Sequence, residues 1–244
     1  MRIKDSARSC IRLLTRHVRF RIRAGPCRGF WWSVPTRLRF LSGSYEPAFA
    51  RFVAQVLKPD DVVWDVGAHF GYYTLLAARA AAAGRCYAFE PASRNLWYLN
   101  HHVSWNHLAN ATVRAVAIAG ADGSRQFGTL GTGSGSLDSG HQTVQARSVD
   151  SLVRSGECRA PTFLKMDAEG AEAEILNGAM QALAVQHPTL CIATHGVAVH
   201  ARCQQAIAEG NYRMHSSPRL GLLIAVGAGH SISEPAVARL FDST

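Results

Sequence analysis

Apolar runs long enough to cross a membrane are missing from this sequence: none approaches the roughly 18–20 residues that a spanning helix requires, so a soluble chain is expected. Paired cysteines are missing too. Cys10, Cys27, Cys86, Cys158, Cys191 and Cys203 are scattered without a CxxC pair or metal-ligand spacing, and read as reduced thiols of a cytoplasmic protein. Acids are scarce at one end: residues 1–40 hold eleven Lys or Arg against Asp5 alone, so the formal charge of +9 resides there and the rest is close to neutral. A fold that grips nucleic acid needs positive charge on its folded surface; a basic arm on a near-neutral domain therefore predicts no nucleic-acid partner. Residues 1–42 are expected to form that arm. Its stretch from Ile11 to Ile22 mixes apolar residues with Arg, as in a solvated arm, a basic amphipathic helix, or a contact for a membrane surface or partner.

What is present beyond the arm alternates strand and helix signals, which predicts one α/β domain over 43–244. Phe49, Phe52, Val53, Val56 and Leu57 recur at helical spacing, and Lys58-Pro59-Asp60-Asp61 stops the helix. Val62–Val66 then reads as a buried strand, Gly67 to Gly71 as a tight turn, and Tyr72–Ala83 as a helix, the opening of a βαβ unit. Arg85–Glu90 is the second strand, Ser93 caps a helix to about His107, and Ala111–Ala119 alternates as the third strand. Residues 124–149, around Gly131-Thr132-Gly133-Ser134-Gly135-Ser136, interrupt the pattern as an inserted hairpin or loop. Thr162–Asp167 is the next strand, followed by one helix with the stripe Ala171, Ile175, Ala179 and Leu183. Thr189–Thr194, a helix over 198–209, and a hairpin of Tyr212–Ser216 with Leu220–Val226 complete a mostly parallel, doubly wound sheet ending in an antiparallel pair.

Chemistry is expected where strand meets glycine turn. Asp65-Val66-Gly67-Ala68-His69-Phe70-Gly71 lets the backbone approach a ligand at a helix N-terminus, and Glu90 places a carboxylate over the same crevice, suited to a ribose diol. The turn has G-x-x-x-G rather than the G-x-G-x-x-G that seats a pyrophosphate. Asp65 would repel that anion but hold the ammonium of an amino-acid moiety, so S-adenosyl-L-methionine is favoured over NAD(P). Asp167 and Glu169, at the end of their strand, are catalytic candidates against the simpler roles of helix cap and helix-dipole partner. His195, directly after Thr189–Thr194, is the candidate base for a hydroxyl proton; a structural, hydrogen-bonded histidine is the alternative. No Asp-Asn pair follows Asp167, so no metal is expected.

Three blocks carry a specific resemblance: V-W-D-V-G-A-H-F-G-Y-Y-T-L-L-A-A-R at 63–79, Y-A-F-E-P at 87–91 with Asn95, and F-L-K-M-D-A-E-G-A-E at 163–172. With Gly43-Ser44-Tyr45-Glu46-Pro47 and Ser148-Val149-Asp150-Ser151-Leu152, they resemble the FkbM family of methyltransferases from about 43 to 196. The resemblance implies a Rossmann-like class I methyltransferase that O-methylates a hydroxyl of a small natural product or saccharide. It implies cofactor roles for Asp65, Gly67, Gly71 and Glu90; Ala68 and His69 sit in the same turn, and Asp122 is a candidate for the adenine end. Ala92 and Ala168 depart from the family's usual Asn and Val. A base-modifying methyltransferase is disfavoured because Met166-Asp167-Ala168-Glu169 replaces an Asn-Pro-Pro-aromatic motif. An NAD(P)-binding oxidoreductase and a non-catalytic binding protein of the same fold stay open as alternatives.

Overall fold

The computed structural model describes residues 15–33, 36, 38–130, 134–138 and 142–242. Its first elements are β1 (Arg19–Arg21), β2 (Trp31–Ser33), α1 (Leu38–Ser42), α2 (Pro47–Val56), β3 (Val62–Val66), α3 (Tyr72–Ala80), β4 (Arg85–Phe89) and α4 (Ser93–Trp105). There follow β5 (Ala111–Arg114), β6 (Ala117–Ile118), β7 (Gly123–Leu130), β8 (Ser134–Leu137), β9 (Gln142–Arg147) and α5 (Val149–Arg154). The last are β10 (Phe163–Met166), α6 (Glu172–Asn177), α7 (Met180–Gln186), β11 (Thr189–Ala193), α8 (Val197–Ala208), β12 (Tyr212–Ser217), β13 (Leu222–Gly227) and α9 (Glu234–Asp242).

Seven strands form the main sheet in the order β12-β13-β11-β10-β3-β4-β5. All its pairings are parallel except the two made by β13. The chain starts at the centre with β3, winds out to β5, and returns to lay β10 on the other side of β3. That reversal opens a crevice at the carboxyl ends of β3 and β10. Alternate residues of each strand face opposite layers, because the side-chain period is two. Val63, Cys86, Phe163 and Cys191 meet α2 and α3, whereas Val62, Trp64, Leu164, Met166 and Ile192 meet the layer holding Leu152, Ile175, Leu183 and Cys203. Burial on both faces explains why these strands read as continuous apolar runs.

Several expectations are refined. The third strand is divided: β5 stays in the main sheet, whereas β6 leaves it to pair with β9 in a second sheet of order β6-β9-β7-β8. The inserted hairpin is thus a sheet in its own right; residues 131–133 and 139–141 of its glycine-rich turns lie outside the described residues. The single helix after Asp167 is two, α6 and α7, parted at Gly178 and Ala179, where a Cβ on Gly178 would stand 2.6 Å from the Ala119 carbonyl oxygen. Ser93 is the first helical residue and not the cap, which is Ala92.

The N-terminal arm is corrected from Ile22 onward: Ile22, Cys27, Phe30, Trp32 and Phe40 are buried in the same core cluster as Tyr72 and Leu75. β1 keeps the exposed, basic character foreseen, as do the side chains of Arg23, Arg28 and Arg39, with Phe20 and Val18 also exposed. The part of the Ile11–Ile22 stretch before Thr15, and Cys10, lie outside the described residues. The other five cysteines are buried and free. Among the described residues no helix is long and apolar enough to cross a membrane.

Candidate active site

A cavity of about 290 Å³ opens at the crevice between β3 and β10. Its floor is made by the ends of four parallel strands: Gly67 after β3, Glu90 after β4, Asp167 after β10 and His195 after β11. Phe40, Tyr45 and Glu46 wall one side, and Ala117, Ile118, Phe127 and Leu137 of the second sheet wall another. Four carboxylates line the cavity (Glu46, Glu90, Asp167 and Glu169), and no Lys or Arg does so among the described residues.

Glu90 is 4% exposed, and its carboxylate is held by the protein from both oxygens. Oε2 accepts the His69 N–H at 2.8 Å, while Oε1 accepts the Ala92 N–H at 2.9 Å and Asn95 Nδ2 at 3.2 Å. Burial nevertheless keeps its pKa above the usual carboxylate value, against the pull of those three donors. Two oxygens offer about four acceptor sites, so one remains for a ligand hydroxyl. His69 presents its N–H to Glu90 from a left-handed conformation, φ 51°. Gly67 and Ala68 both donate to the Phe89 carbonyl, which ties the turn to the end of β4. Gly67 lines the cavity, and it must be glycine for an internal reason as well: a Cβ there would lie 1.9 Å from the Asp167 carbonyl oxygen. Gly71 starts α3 with φ 91° and packs on Leu99, away from the cavity.

Of the expected cofactor residues, Ala68 also lies outside the cavity lining, as Gly71 does, and the two carboxylates Asp65 and Asp122 sit elsewhere. Asp65 is 1% exposed and lies outside the cavity lining. Its Oδ1 faces Lys165 Nζ at 3.1 Å and its Oδ2 accepts the Thr74 hydroxyl at 2.7 Å. The ammonium it was expected to hold is therefore the chain's own. Parallel pairing sets Asp65 beside Lys165 in register, which a reading of strand ends alone does not reveal. Asp122 is turned outward, accepting from the Ser148 N–H and the Ser151 hydroxyl and pairing with Arg147 at 3.0 Å. It secures the start of α5 rather than an adenine.

Asp167, Glu169 and His195 are brought together. His195 Nε2 stands 3.5 Å from an oxygen of each carboxylate, and Nδ1 is 2.9 Å from Glu172 Oε1. Glu172 is the residue sequence reasoning missed. Its side chain is fully buried, and it also accepts the backbone N–H groups of Ala168 and Gly170. Burial alone would raise the Glu172 pKa, but the His195 hydrogen bond and the backbone N–H groups of Glu172 itself and Gly170 hold it below the ordinary range. The same hydrogen bond pushes His195 up to about 9 against its own burial, with the neighbouring carboxylates adding to the effect. An imidazolium is a poor proton acceptor near neutrality, so the carboxylates are the better-placed bases in this corner. The available signal was the acid in the first helical position: following the N-cap Ala171, Glu172 reaches back to the N–H groups of the loop before it.

The strand order with one reversed strand, and the cleft where the winding turns, define a Rossmann-like class I methyltransferase fold. Methyltransferase FkbM from Methylobacillus flagellatus KT matches with a TM-score of 0.52 at 20% identity, over 70% of this chain and 44% of its own. Precorrin-6y C5,15-methyltransferase from Geobacter metallireducens GS-15 matches with a TM-score of 0.50 at 12% identity, over 76% of this chain and 88% of its own. The model of the Methyltransferase FkbM domain matches residues 65–214, and the chain belongs to that family. Hexuronic acid methyltransferase AglP of Haloferax volcanii is 31% identical over 154 residues, which are 60% of this chain and 61% of that protein. The chain thus spans less than two thirds of the length of that curated relative and less than half of the solved FkbM chain.

Proposed function

We propose that the protein binds S-adenosyl-L-methionine in the β3–β10 crevice and methylates a hydroxyl of a saccharide. The observation that carries this reading is the charge of the cavity: four carboxylates against one imidazolium, His195, and no Lys or Arg among its described lining residues. Such a wall attracts a sulfonium and an ammonium, and repels the pyrophosphate of a dinucleotide. Glu90 has the burial, and the spare acceptor site, to take a ribose hydroxyl. Ala117, Ile118, Phe127 and Leu137 offer an apolar end for the adenine, a role that passes to them from Asp122.

Bound there, the cofactor supplies an electrophilic methyl group. The chain's own residues do the rest. Phe40 and Tyr45, whose rings lie 4.3 Å apart, give the acceptor an aromatic wall of the kind on which sugar C–H faces pack. An acceptor hydroxyl near Asp167 and Glu169 gives its proton to one of those carboxylates as its oxygen takes the methyl. The saccharide class rests on the hexuronic acid methyltransferase relative.

Titration calorimetry with S-adenosylhomocysteine tests the core of the reading. Saturable binding is expected, with Glu90→Ala at least about tenfold weaker, a loss of about 1.4 kcal/mol, and no heat from NADH. Mass spectrometry should then find one added methyl on a uronic acid or neutral hexose acceptor. Failure to bind S-adenosylhomocysteine would leave a family member that binds something else in this cavity.

A further inference from the structure

Asp167, Glu169 and His195 each present one ligand atom, and all three atoms lie within 4.8 Å of one another. Metal–oxygen bonds of about 2.0–2.6 Å place opposed ligands about 4–5 Å apart, so this spread is that of a coordination shell. The trio does not satisfy itself. Nε2 stays 3.5 Å from both carboxylates, beyond a normal N–H···O length. Among the described residues no group donates a hydrogen bond to either carboxylate, and Lys165 Nζ comes only to 4.0 Å from Asp167.

The ring's other nitrogen is tightly held. Glu172 Oε1 lies 2.9 Å from Nδ1, and Glu172 is itself fixed by the Ala168 and Gly170 N–H groups in a fully buried position. A buried carboxylate that fixes Nδ1–H and aims Nε2 at two further carboxylates is the outer support that metal-ligating histidines use.

We propose that Asp167, Glu169 and His195 Nε2 bind one divalent cation of the Mg²⁺ or Mn²⁺ class, with Glu172 as the positioning residue. Binding releases the Nε2 proton to solvent, and the remaining coordination positions, open to the cavity, take water or acceptor oxygens. The sequence expectation of no metal rested on the lack of an Asp-Asn pair after Asp167; the fold supplies other ligands from a loop and from the end of β11. In the methyl-transfer reading, on which this role depends, the cation lets a cavity walled by carboxylates accept an acidic saccharide and polarises its hydroxyl, whose proton goes to the unligated oxygen of Asp167 or Glu169.

The test uses the full chain, stripped with EDTA, titrated with Mn²⁺ by calorimetry and electron paramagnetic resonance, with S-adenosylhomocysteine titrated in parallel. One Mn²⁺ per chain is expected, displaced by excess Mg²⁺. Glu169→Gln, on a side chain 35% exposed and so undemanding for folding, should weaken Mn²⁺ at least about tenfold. Glu172→Gln should weaken it about 10–100-fold, and Glu174→Gln, on the Arg125 side of α6, should leave it unchanged. Protein that binds S-adenosylhomocysteine yet takes up no Mn²⁺ at millimolar concentration overturns the cation site and spares the proposed function, as would Mn²⁺ affinity indifferent to Glu169→Gln. Mn²⁺ binding without S-adenosylhomocysteine binding supports the site and overturns the methyl-transfer reading.

Discussion

Lys165 is 4% exposed and rests with its Nζ between Asp65 and the ring of Tyr73, 5.2 Å from the ring centroid. Burial favours the neutral amine, but the carboxylates of Asp65 and Asp167 outweigh it and hold the lysine pKa above its ordinary value. Removing one member of such a pair strands a buried charge, at a cost of about 3–5 kcal/mol, whereas removing both is far milder. Lys165→Met is therefore expected to lower the melting temperature by about 10 °C, taking about 2–4 °C per kcal/mol for a chain of this size, and Asp65→Asn/Lys165→Met to recover most of that loss. A loss in the double variant equal to the sum of the two single-variant losses, measured by thermal melts, would show that the pair carries no coupling. At this scale the site was half legible. Acids at strand ends, such as Glu90 and Asp167, could be found because strand ends share one edge of the sheet. Asp65 was misassigned because its partner comes from a strand a hundred residues away, and Glu172 was missed because only the loop's curl makes it a neighbour of His195.

Helix α4 shows how an element can take over the work of a missing strand. His102 and Asn106, one turn apart on one face, serve the free backbone edge of β2. Asn106 exchanges two hydrogen bonds with Trp31, at 2.7 and 2.9 Å, and His102 Nε2 accepts the Ser33 N–H at 3.0 Å. With Nε2 an acceptor, Nδ1 carries the hydrogen and donates to the Phe70 carbonyl at 2.7 Å, so the neutral tautomer is specified from both sides. Burial pushes the His102 pKa down to about 3. The unfolded chain, near 6.5, then binds a proton that the folded chain refuses, and stability must fall as pH drops from about 6.5 toward 3. His102→Gln should be less stable at pH 7 but should show a pH slope shallower by up to about 1.4 kcal/mol per unit across that window. Urea unfolding from pH 7 to 4 measures it; parallel slopes would rule the burial account out. Elements with a strong period, such as α2, β3, β4 and β11, were legible in the sequence. The breaks were not: the third strand splits where β6 leaves to pair with β9, and α6 parts from α7 where Gly178 comes against Ala119 and Gly120, contacts between segments far apart in sequence.

On the scale of the whole molecule, the basic N-terminal segment is both surface and core. Its arginines hid the pattern, since a composition count sees eleven cations and passes over Trp32, Phe40, Ile22 and Cys27, each buried to 2% exposure or less. Trp32 stacks on His102 at 3.9 Å and meets Phe40 and Tyr72, and Phe40 goes on to Tyr45, so an unbroken aromatic path runs from β2 to the cavity wall. Cutting the chain at residue 42 would thus open the core and remove one wall of the site together. Any contact of the arm with a membrane or partner is better tested by charge reversal at the exposed Arg19 and Arg21 than by deletion. Trp32→Ala isolates the packing: truncating a fully buried Trp costs about 3–5 kcal/mol, or roughly 6–20 °C in melting temperature for a chain of this size. Because Phe40 then loses the ring it leans on, S-adenosylhomocysteine should bind with little change at Glu90 while the acceptor's KM rises. A variant that melts at the wild-type temperature would return residues 22–42 to the status of an appendage. One that melts early yet keeps both affinities would separate the core role of the segment from its place in the cavity wall.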